Sequence, residues 1–390
     1  MQHVFIIGSK GVPKHTGGFE TFVDKLVSNK VSDDILYHVA CAVDEVNGGS
    51  EHYYNGAHCF DIVWKPTGSS RAVLYDIDAL RWMVSYIKKN AIEHPIVYIL
   101  ACRVGPFIST YVQQIHDLGG RVFVNPDGHE WMRGKWSWPV RKYWKMSEAG
   151  MVKNADLVVC DNTYIESYIK QEYSYYAPKT TYIAYGADLE RSTIADDDAG
   201  LCDWMAKHGV RPYEYYLVVG RFVPENNYEV MVREFMLSST ERDFVIITET
   251  EGAFFEHLRT ATGFESDPRI KFVGPVYDQE FLKKVREQSY AYLHGHQVGG
   301  TNPSLLEALS SSQLNLVYKV SFNREVAADS ALYWTKDLGD LAGVINAVDE
   351  FTPDIIARYD KASTEVVRKR FTWAAITRQY EDLFLGRQAR

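Results

Sequence analysis

Two short stretches hold residue types suited to a nucleoside diphosphate: Gly220-Arg221-Phe222-Val223-Pro224-Glu225-Asn226, and Gly299-Gly300-Thr301-Asn302-Pro303-Ser304-Leu305-Leu306-Glu307. An arginine at a strand end can pair two phosphate oxygens at once. A glycine pair followed by a capping residue and a proline opens a helix, here near Pro303 with Thr301 or Asn302 as cap. The first turn of that helix offers unpaired N–H groups and the positive end of its dipole, which suits a diphosphate. Glu307 lies one turn in, away from Leu305, Leu306 and Leu309, where its carboxylate could accept hydrogen bonds from ribose hydroxyls; a solvated helix residue is the plain alternative. A third stretch, Asn125-Pro126-Asp127-Gly128-His129-Glu130, puts two carboxylates and an imidazole in one loop. It could deprotonate an acceptor hydroxyl, with Asp127 the first choice of base, or Asp127 could simply cap the loop.

Strands and helices must alternate to place these loops. In the N-terminal half, apolar runs predict strands over 4–7, 35–42, 60–64, 96–100, 122–125, 157–160 and 181–184, with helical stretches near 19–27, 72–89, 106–118, 140–153 and 164–172 between them. The alternation resumes with strands over 215–219, 244–248, 270–273, 289–293 and 314–318. It predicts an α/β fold of two Rossmann-like parallel-sheet domains, residues 1–190 and 213–372, joined by a linker over 191–212. Ligands in such sheets gather beyond the carboxyl ends of the strands, where all three loops fall. The first βα turn, with Gly17 and Gly18, is not G-x-G-x-x-G and lacks the acid expected at the end of the second strand, which argues against a dehydrogenase. Tyr277, in a turn after a strand, could offer its ring to a nucleotide base.

With 390 residues and 46% apolar composition, the chain can bury two cores. Its net charge of −9 argues against nucleic acid as a partner. The five cysteines are scattered and free of C-x-x-C spacing, which points to buried thiols in a reducing cytoplasm rather than to a zinc site. The chain enters its first strand without a charged leader, so no secretory signal is expected, and no apolar run reaches the roughly 18 residues of a membrane span. His294 and His296, without a third ligand, read as structural or polar loop residues.

One basic and aromatic patch stands out. Residues 131–145 carry five cations and no acid, with four of the nine tryptophans. Trp131, Arg133, Lys135, Trp136, Trp138, Arg141, Lys142 and Trp144 suit the headgroup level of an anionic membrane; a core of tryptophans under solvated cations is the competing reading.

The segments VVGRFVPENN and GGTNPSLLEALS resemble the GR-x-x-P-E-K and E-x7-E-A segments of retaining GT-B glycosyltransferases. GSKGVPKHTGGFETFV and NPDGHEW resemble one subgroup, the bacterial rhamnosyltransferases of cell-wall rhamnan and capsule assembly. Two positions depart: Gly299 stands where the first glutamate of the E-x7-E pair belongs, and Asn226 replaces the usual lysine. The resemblance implies two domains facing across a cleft, with Arg221, Asn226, Tyr277, Gly300, Thr301, Asn302 and Glu307 on the donor. Gly17, Gly18 and Glu20 would face the acceptor or departing phosphate. Asp127, His129, Glu130, Asp161 and Tyr185 would border the reaction, and the C-terminal helix over 373–390 would cross back to the first domain. It implies transfer of L-rhamnose from dTDP-L-rhamnose to a polyprenyl-diphosphate-linked saccharide, at the inner face of the cell membrane and without a cofactor. Neither Asp196-Asp197-Asp198, in the expected linker, nor Asp76 and Asp78, two apart on a helix, makes a metal-binding D-x-D, so no essential metal is expected. A nucleotide-sugar epimerase and a non-catalytic nucleotide-sugar binder are the rival readings.

Overall fold

The computed structural model describes residues 1–13, 17–45, 51–133 and 136–387. The chain forms two compact units, 1–186 with 373–390, and 187–372.

The first unit carries β1 (Gln2–Ile7), β2 (Ile35–Val43), β3 (Glu51–Tyr54), β4 (Ala57–Val63), β5 (Ile96–Leu100), β6 (Arg121–Asn125), β7 (Leu157–Cys160) and β8 (Thr180–Tyr182) in one sheet, ordered β3-β4-β2-β1-β5-β6-β7-β8. All neighbours are parallel except β3 and β4, joined through Asn55 and Gly56, both at positive φ. That two-residue Asn-Gly turn is the standard signal for a hairpin. Helices α1 (Gly18–Ser28), α2 (Arg71–Lys89), α3 (Ile108–Asp117), α4 (Trp138–Asn154) and α5 (Thr163–Glu172) form the crossovers. One large core joins alternate residues of β1, β4 and β5 to Leu80, Met83 and Ile87 of α2, as expected where a parallel strand is buried on both faces.

The second unit opens with α6 (Ala199–His208) and continues β9 (Tyr215–Val219), α7 (Tyr228–Leu237), β10 (Asp243–Ile247), α8 (Ala253–Thr262), β11 (Ile270–Phe272), α9 (Gln279–Glu287), β12 (Ala291–His294), α10 (Pro303–Ser311), β13 (Asn315–Tyr318), α11 (Ser321–Ala327), β14 (Leu332–Trp334), α12 (Asp340–Asp349) and α13 (Pro353–Arg370). Its six strands run parallel in the order β11-β10-β9-β12-β13-β14. The segment 191–212, expected to be a linker, is folded onto this unit. Asp198 caps α6, and Leu201, Met205 and Val210 pack with Tyr215, Leu217 and Leu282. Apolar residues at helical spacing, not the acidic triplet, decide its fate.

α14 (Trp373–Phe384) belongs to the first unit. Its Tyr380 hydroxyl lies 3.2 Å from that of Tyr98, and Glu381 accepts the N–H groups of Val31 and Ser32. A Cβ on Gly186 would fall 2.5 Å from the Trp373 ring, so this glycine is required by close approach.

Candidate functional site

β9 and β12 are hydrogen-bonded neighbours, with Tyr292 level with Leu217, so the loops that follow them leave the sheet edge side by side. The loops are tied to each other: Asn227 Nδ2 donates to the Gly295 carbonyl (2.7 Å), and the Gln297 N–H donates to the Glu225 carbonyl (3.0 Å). Tyr292 extends the tie, its hydroxyl 3.1 Å from the Val219 carbonyl and 3.0 Å from Ser304 Oγ. Tyr228 and Thr248 both donate to the Gly220 carbonyl. The two glycine-containing junctions are therefore one rigid feature of the second unit.

Within it, the side chain of Arg221 is exposed. Asn226 is buried and donates to the Arg221 carbonyl (2.8 Å). Its amide is turned into the loop and fixes the backbone beneath the arginine. Asn302 rather than Thr301 caps α10, accepting the Ser304 N–H at 3.0 Å, while Gly300 and Thr301 are buried in the turn. Gly299 has open space where a Cβ would stand, but its φ of +140° disfavours any side chain. Backbone path, not crowding, sets the residue at this departure from the E-x7-E pattern. Glu307 is not merely solvated: its Oε2 lies 2.7 Å from Nη2 of Arg286, a buried residue of α9. Arg286 was invisible in sequence because it sits in a run of charges, Lys283 to Glu287, that reads as a solvated face. Tyr277 stands apart, 64% exposed after the edge strand β11, with its hydroxyl 3.3 Å from Glu249.

His294 ends β12 fully buried, with neither ring nitrogen hydrogen-bonded, and its ring stacks on His296 at 4.5 Å. Burial, with the neighbouring His296 adding to it, holds the His294 imidazole well below its ordinary pKa, hence neutral.

In the first unit the expected residues collect at the carboxyl ends of β6, β7 and β8. Asp127 has φ +58°; its N–H donates to Asn125 Oδ1 (2.9 Å) and its Oδ1 accepts the Gly128 N–H (2.8 Å). The loop-capping role is thus realised in this carboxylate. Asp161 and Tyr185 are buried, and the Tyr185 phenol is pushed well above its usual value by burial and then by the charges of Asp161 and Asp127. Glu130 lies 2.5 Å from Arg133 Nε and accepts Trp136 Nε1–H at 2.9 Å. His129 is left-handed and buried, its ring 4.2 Å from that of Tyr168. Glu20 is buried and its carboxylate accepts the Lys10 N–H at 2.9 Å, while Gly17 is exposed, though a Cβ on it would strike that carboxylate at 2.1 Å. Of the three, Gly18 alone has open space around a Cβ.

A pocket opens beside this edge, lined by Asp127, Glu130, Glu148, Trp131 and Trp144 among others. Glu148 is buried, accepts the hydroxyls of Tyr168 (2.6 Å) and Tyr173, and has its pKa raised by burial. Lys145 Nζ lies 3.5 Å from Glu148 and 4.7 Å from the Trp131 ring centre. Arg103, after β5, is a second cation unnoticed in sequence; its Nη1 donates to the Gly8 carbonyl (2.7 Å) and to buried Asp76 (3.2 Å). The tryptophan patch is thereby divided. Trp131 and Trp144 line the pocket and Arg133 is paired with Glu130, because the loop folds back onto α4. These three do not form the outward-facing surface expected of them. Trp136, partly buried, packs near Trp144 (6.1 Å), whereas Trp138 (66% exposed), Arg141 and Lys142 face outward, and Lys135 lies outside the described residues.

The buried histidines set a pH dependence. Burial, followed by the charge of Lys145, pushes His129 down to about 4, while Asp127 and Glu172 oppose. Burial and the adjacent His58 and His3 push His38 down to about 3. Between these values and the ordinary pKa of about 6.5, the unfolded chain binds protons that the folded chain refuses. The stability they contribute is complete above about pH 6.5 and is lost on acidification toward pH 4, at up to about 1.4 kcal/mol per pH unit for each histidine. Asp76, lifted to about 6 by burial despite Arg103, acts in the opposite sense. His129→Asn, which tolerates the left-handed backbone, is expected to flatten the acid limb of the urea midpoint against pH. A profile parallel to wild type would remove His129 from this account.

Residues 1–188 match the family model described as a domain of unknown function, DUF1972. No curated protein matches the sequence. Among solved structures, the chain is similar to sucrose-phosphate synthase from Thermosynechococcus elongatus (16% identity, 99% of each chain covered, TM-score 0.75). It is also similar to HepE from Anabaena in complex with UDP (13% identity, 99% of this chain and 100% of that one, TM-score 0.70). A third similar structure is the trehalose-6-phosphate protein from E. coli bound with UDP-2-fluoro glucose (9% identity, 98% and 99%, TM-score 0.73). These neighbours are GT-B glycosyltransferases, and the likeness establishes the fold of this chain as theirs: α/β, with a parallel-sheet domain in each half.

Proposed function

We propose that this chain is a retaining glycosyltransferase that moves L-rhamnose from dTDP-L-rhamnose to a lipid-diphosphate-linked saccharide, GlcNAc- or Glc-terminated, in cell-wall or capsule polysaccharide synthesis. The observation that carries the reading is the tie between the β9 and β12 loops. It sets Arg221 and the Asn302-capped helix start on neighbouring strands, as a diphosphate needs. Glu307, oriented by Arg286, has its second oxygen for a ribose. In this mechanism no enzyme nucleophile is needed: the departing diphosphate, stabilised by Arg221 and the amides around Thr301, takes the proton of the incoming hydroxyl. Outward Trp138, Arg141 and Lys142 support contact with an anionic membrane face, and no described helix is long and apolar enough to cross a membrane. The rhamnose and thymidine assignments rest on the resemblance of GSKGVPKHTGGFETFV and NPDGHEW.

A second reading, transfer from a UDP-sugar, is favoured by the UDP and UDP-2-fluoro glucose of the neighbours. The deciding experiment offers dTDP-L-rhamnose or a panel of UDP-sugars with a GlcNAc-diphosphate-lipid, without added divalent cation. The expected product is the lipid saccharide extended by one deoxyhexose, from dTDP-L-rhamnose alone. Turnover of a UDP-sugar instead would keep the diphosphate site and remove rhamnose; conversion of free nucleotide sugar without acceptor would favour an epimerase; donor binding without turnover would favour a binding protein.

A further inference from the structure

Three residues far from the loops above share one face of the sheet's outer strands. His52 on β3 pairs directly with Cys59 on β4, and Cys59 is level with Val39, two residues before Cys41 on β2. Residues two apart on a strand point to the same face, so Cys41, Cys59 and His52 converge. Their two sulfurs and a ring nitrogen all lie within 4.8 Å of one another. Both cysteines are buried and His52 is exposed. Asp61, level with Cys41 on the same face, has Oδ1 3.9 Å from His52 Nδ1.

We propose that Cys41, Cys59 and His52 form a zinc site, with Asp61 holding the His52 ring through its Nδ1 and a water completing the tetrahedron. Two thiols and an imidazole are the donor set that selects zinc over magnesium or calcium. Zinc–sulfur bonds of about 2.3 Å and zinc–nitrogen bonds of about 2.0 Å place tetrahedral ligand atoms roughly 3.5–3.8 Å apart. The trio therefore contracts by at most about 1 Å on binding, a movement within reach of the exposed His52 side chain on an edge strand. Zinc takes the place of the two thiol protons, which leave to solvent, and the balance needs no oxidant. A carboxylate beside the ring of a ligating histidine fixes its tautomer and orientation, the place Asp61 occupies.

The site is independent of the transferase reading. It would staple β3, a four-residue edge strand paired only with β4, to the interior of the sheet. It would also stiffen the loop after β1, because a Cβ on Gly11 would fall 2.4 Å from Cys41 Sγ and Cys41 Sγ lies 3.8 Å from the Val12 carbonyl. The same loop supplies the Lys10 amide that holds Glu20 at the start of α1.

The test uses the full-length, tag-free protein, kept reduced and titrated with Zn(II) against a chromogenic chelator. About one zinc per chain is expected, with thiolate-to-cobalt charge-transfer absorption when Co(II) is used in its place. His52→Ala, at an exposed position outside the core, is expected to weaken zinc binding at least about tenfold, and Cys59→Ser to abolish the cobalt band. EDTA is expected to lower the thermal midpoint of the wild type and not that of His52→Ala. Should the buried Cys59→Ser fail to fold, the His52→Ala comparison still decides. Substoichiometric zinc, a cobalt spectrum without thiolate absorption, or equal zinc affinity in His52→Ala would overturn the proposal.

Discussion

Arg221→Ala is expected to lower kcat for sugar transfer by about 10²- to 10³-fold, with KM for the donor within about threefold of wild type. The side chain leaves the end of β9 and is exposed, while the backbone beneath it is held by Asn226 and the Gly220 carbonyl by Tyr228 and Thr248. Removing the guanidinium therefore leaves the loop in place. What is lost is charge stabilisation where the diphosphate departs, about 3–4 kcal/mol in the transition state and much less in the ground state. Arg221→Lys should fall between, because an ammonium keeps the charge without the two-pronged geometry. Turnover unchanged in Arg221→Ala, measured at saturating donor, would falsify this role while leaving the fold untouched.

Gly295→Ala tests the tie between the two loops. Its Cβ would stand 2.2 Å from the Asn226 carbonyl oxygen, a backbone atom in a loop locked by its own hydrogen bonds. One loop must move by more than an ångström, and such overpacking costs about 1–3 kcal/mol. Because the displaced residues carry Arg221 and the helix start, donor KM is expected to rise at least about tenfold along with the loss of stability. Gly343→Ala is the control: within α12, with nothing within 4 Å of the new Cβ, it should stabilise by about 0.5–1 kcal/mol. Equal donor affinity in Gly295→Ala and wild type would show that the spacing of the two loops does not matter for the donor.

The parallel strands were legible because each is a short, continuous apolar run with a helix between it and the next, as at Tyr215–Val219 or Ile96–Leu100. β3 was not, because Glu51-His52-Tyr53-Tyr54 is a largely exposed edge strand with no apolar period, although Asn55-Gly56 carried the hairpin signal. β14, three residues at the far edge of the second sheet, was not expected either. α6 was hidden behind the acidic triplet that precedes it, of which Asp198 is the cap.

The site was legible to the same depth. Glycines, a capping asparagine and a proline mark where a strand yields to a helix, because those residues answer to local backbone conformation, and Asn302 does at α10 what its type and place require. The partners of Glu307, Glu20 and Asn226 were not legible, because each is reached from another element or turned back into its own loop. The cysteines show the limit best. Cys41 and Cys59, eighteen positions apart and without motif spacing, were read as isolated thiols, yet strand order places β2 beside β4 and β3 beyond it. By itself the sequence determined the alternation of strand and helix, the two-domain α/β class and the strand-end loops, all of which follow from local periodicity and backbone preference. The tertiary structure alone decided which strands are neighbours, and with them the joined loops at β9 and β12, the Arg286 clamp and the Cys41–His52–Cys59 face. Lateral order in a sheet is set by how crossover helices pack, which no local pattern along the chain records.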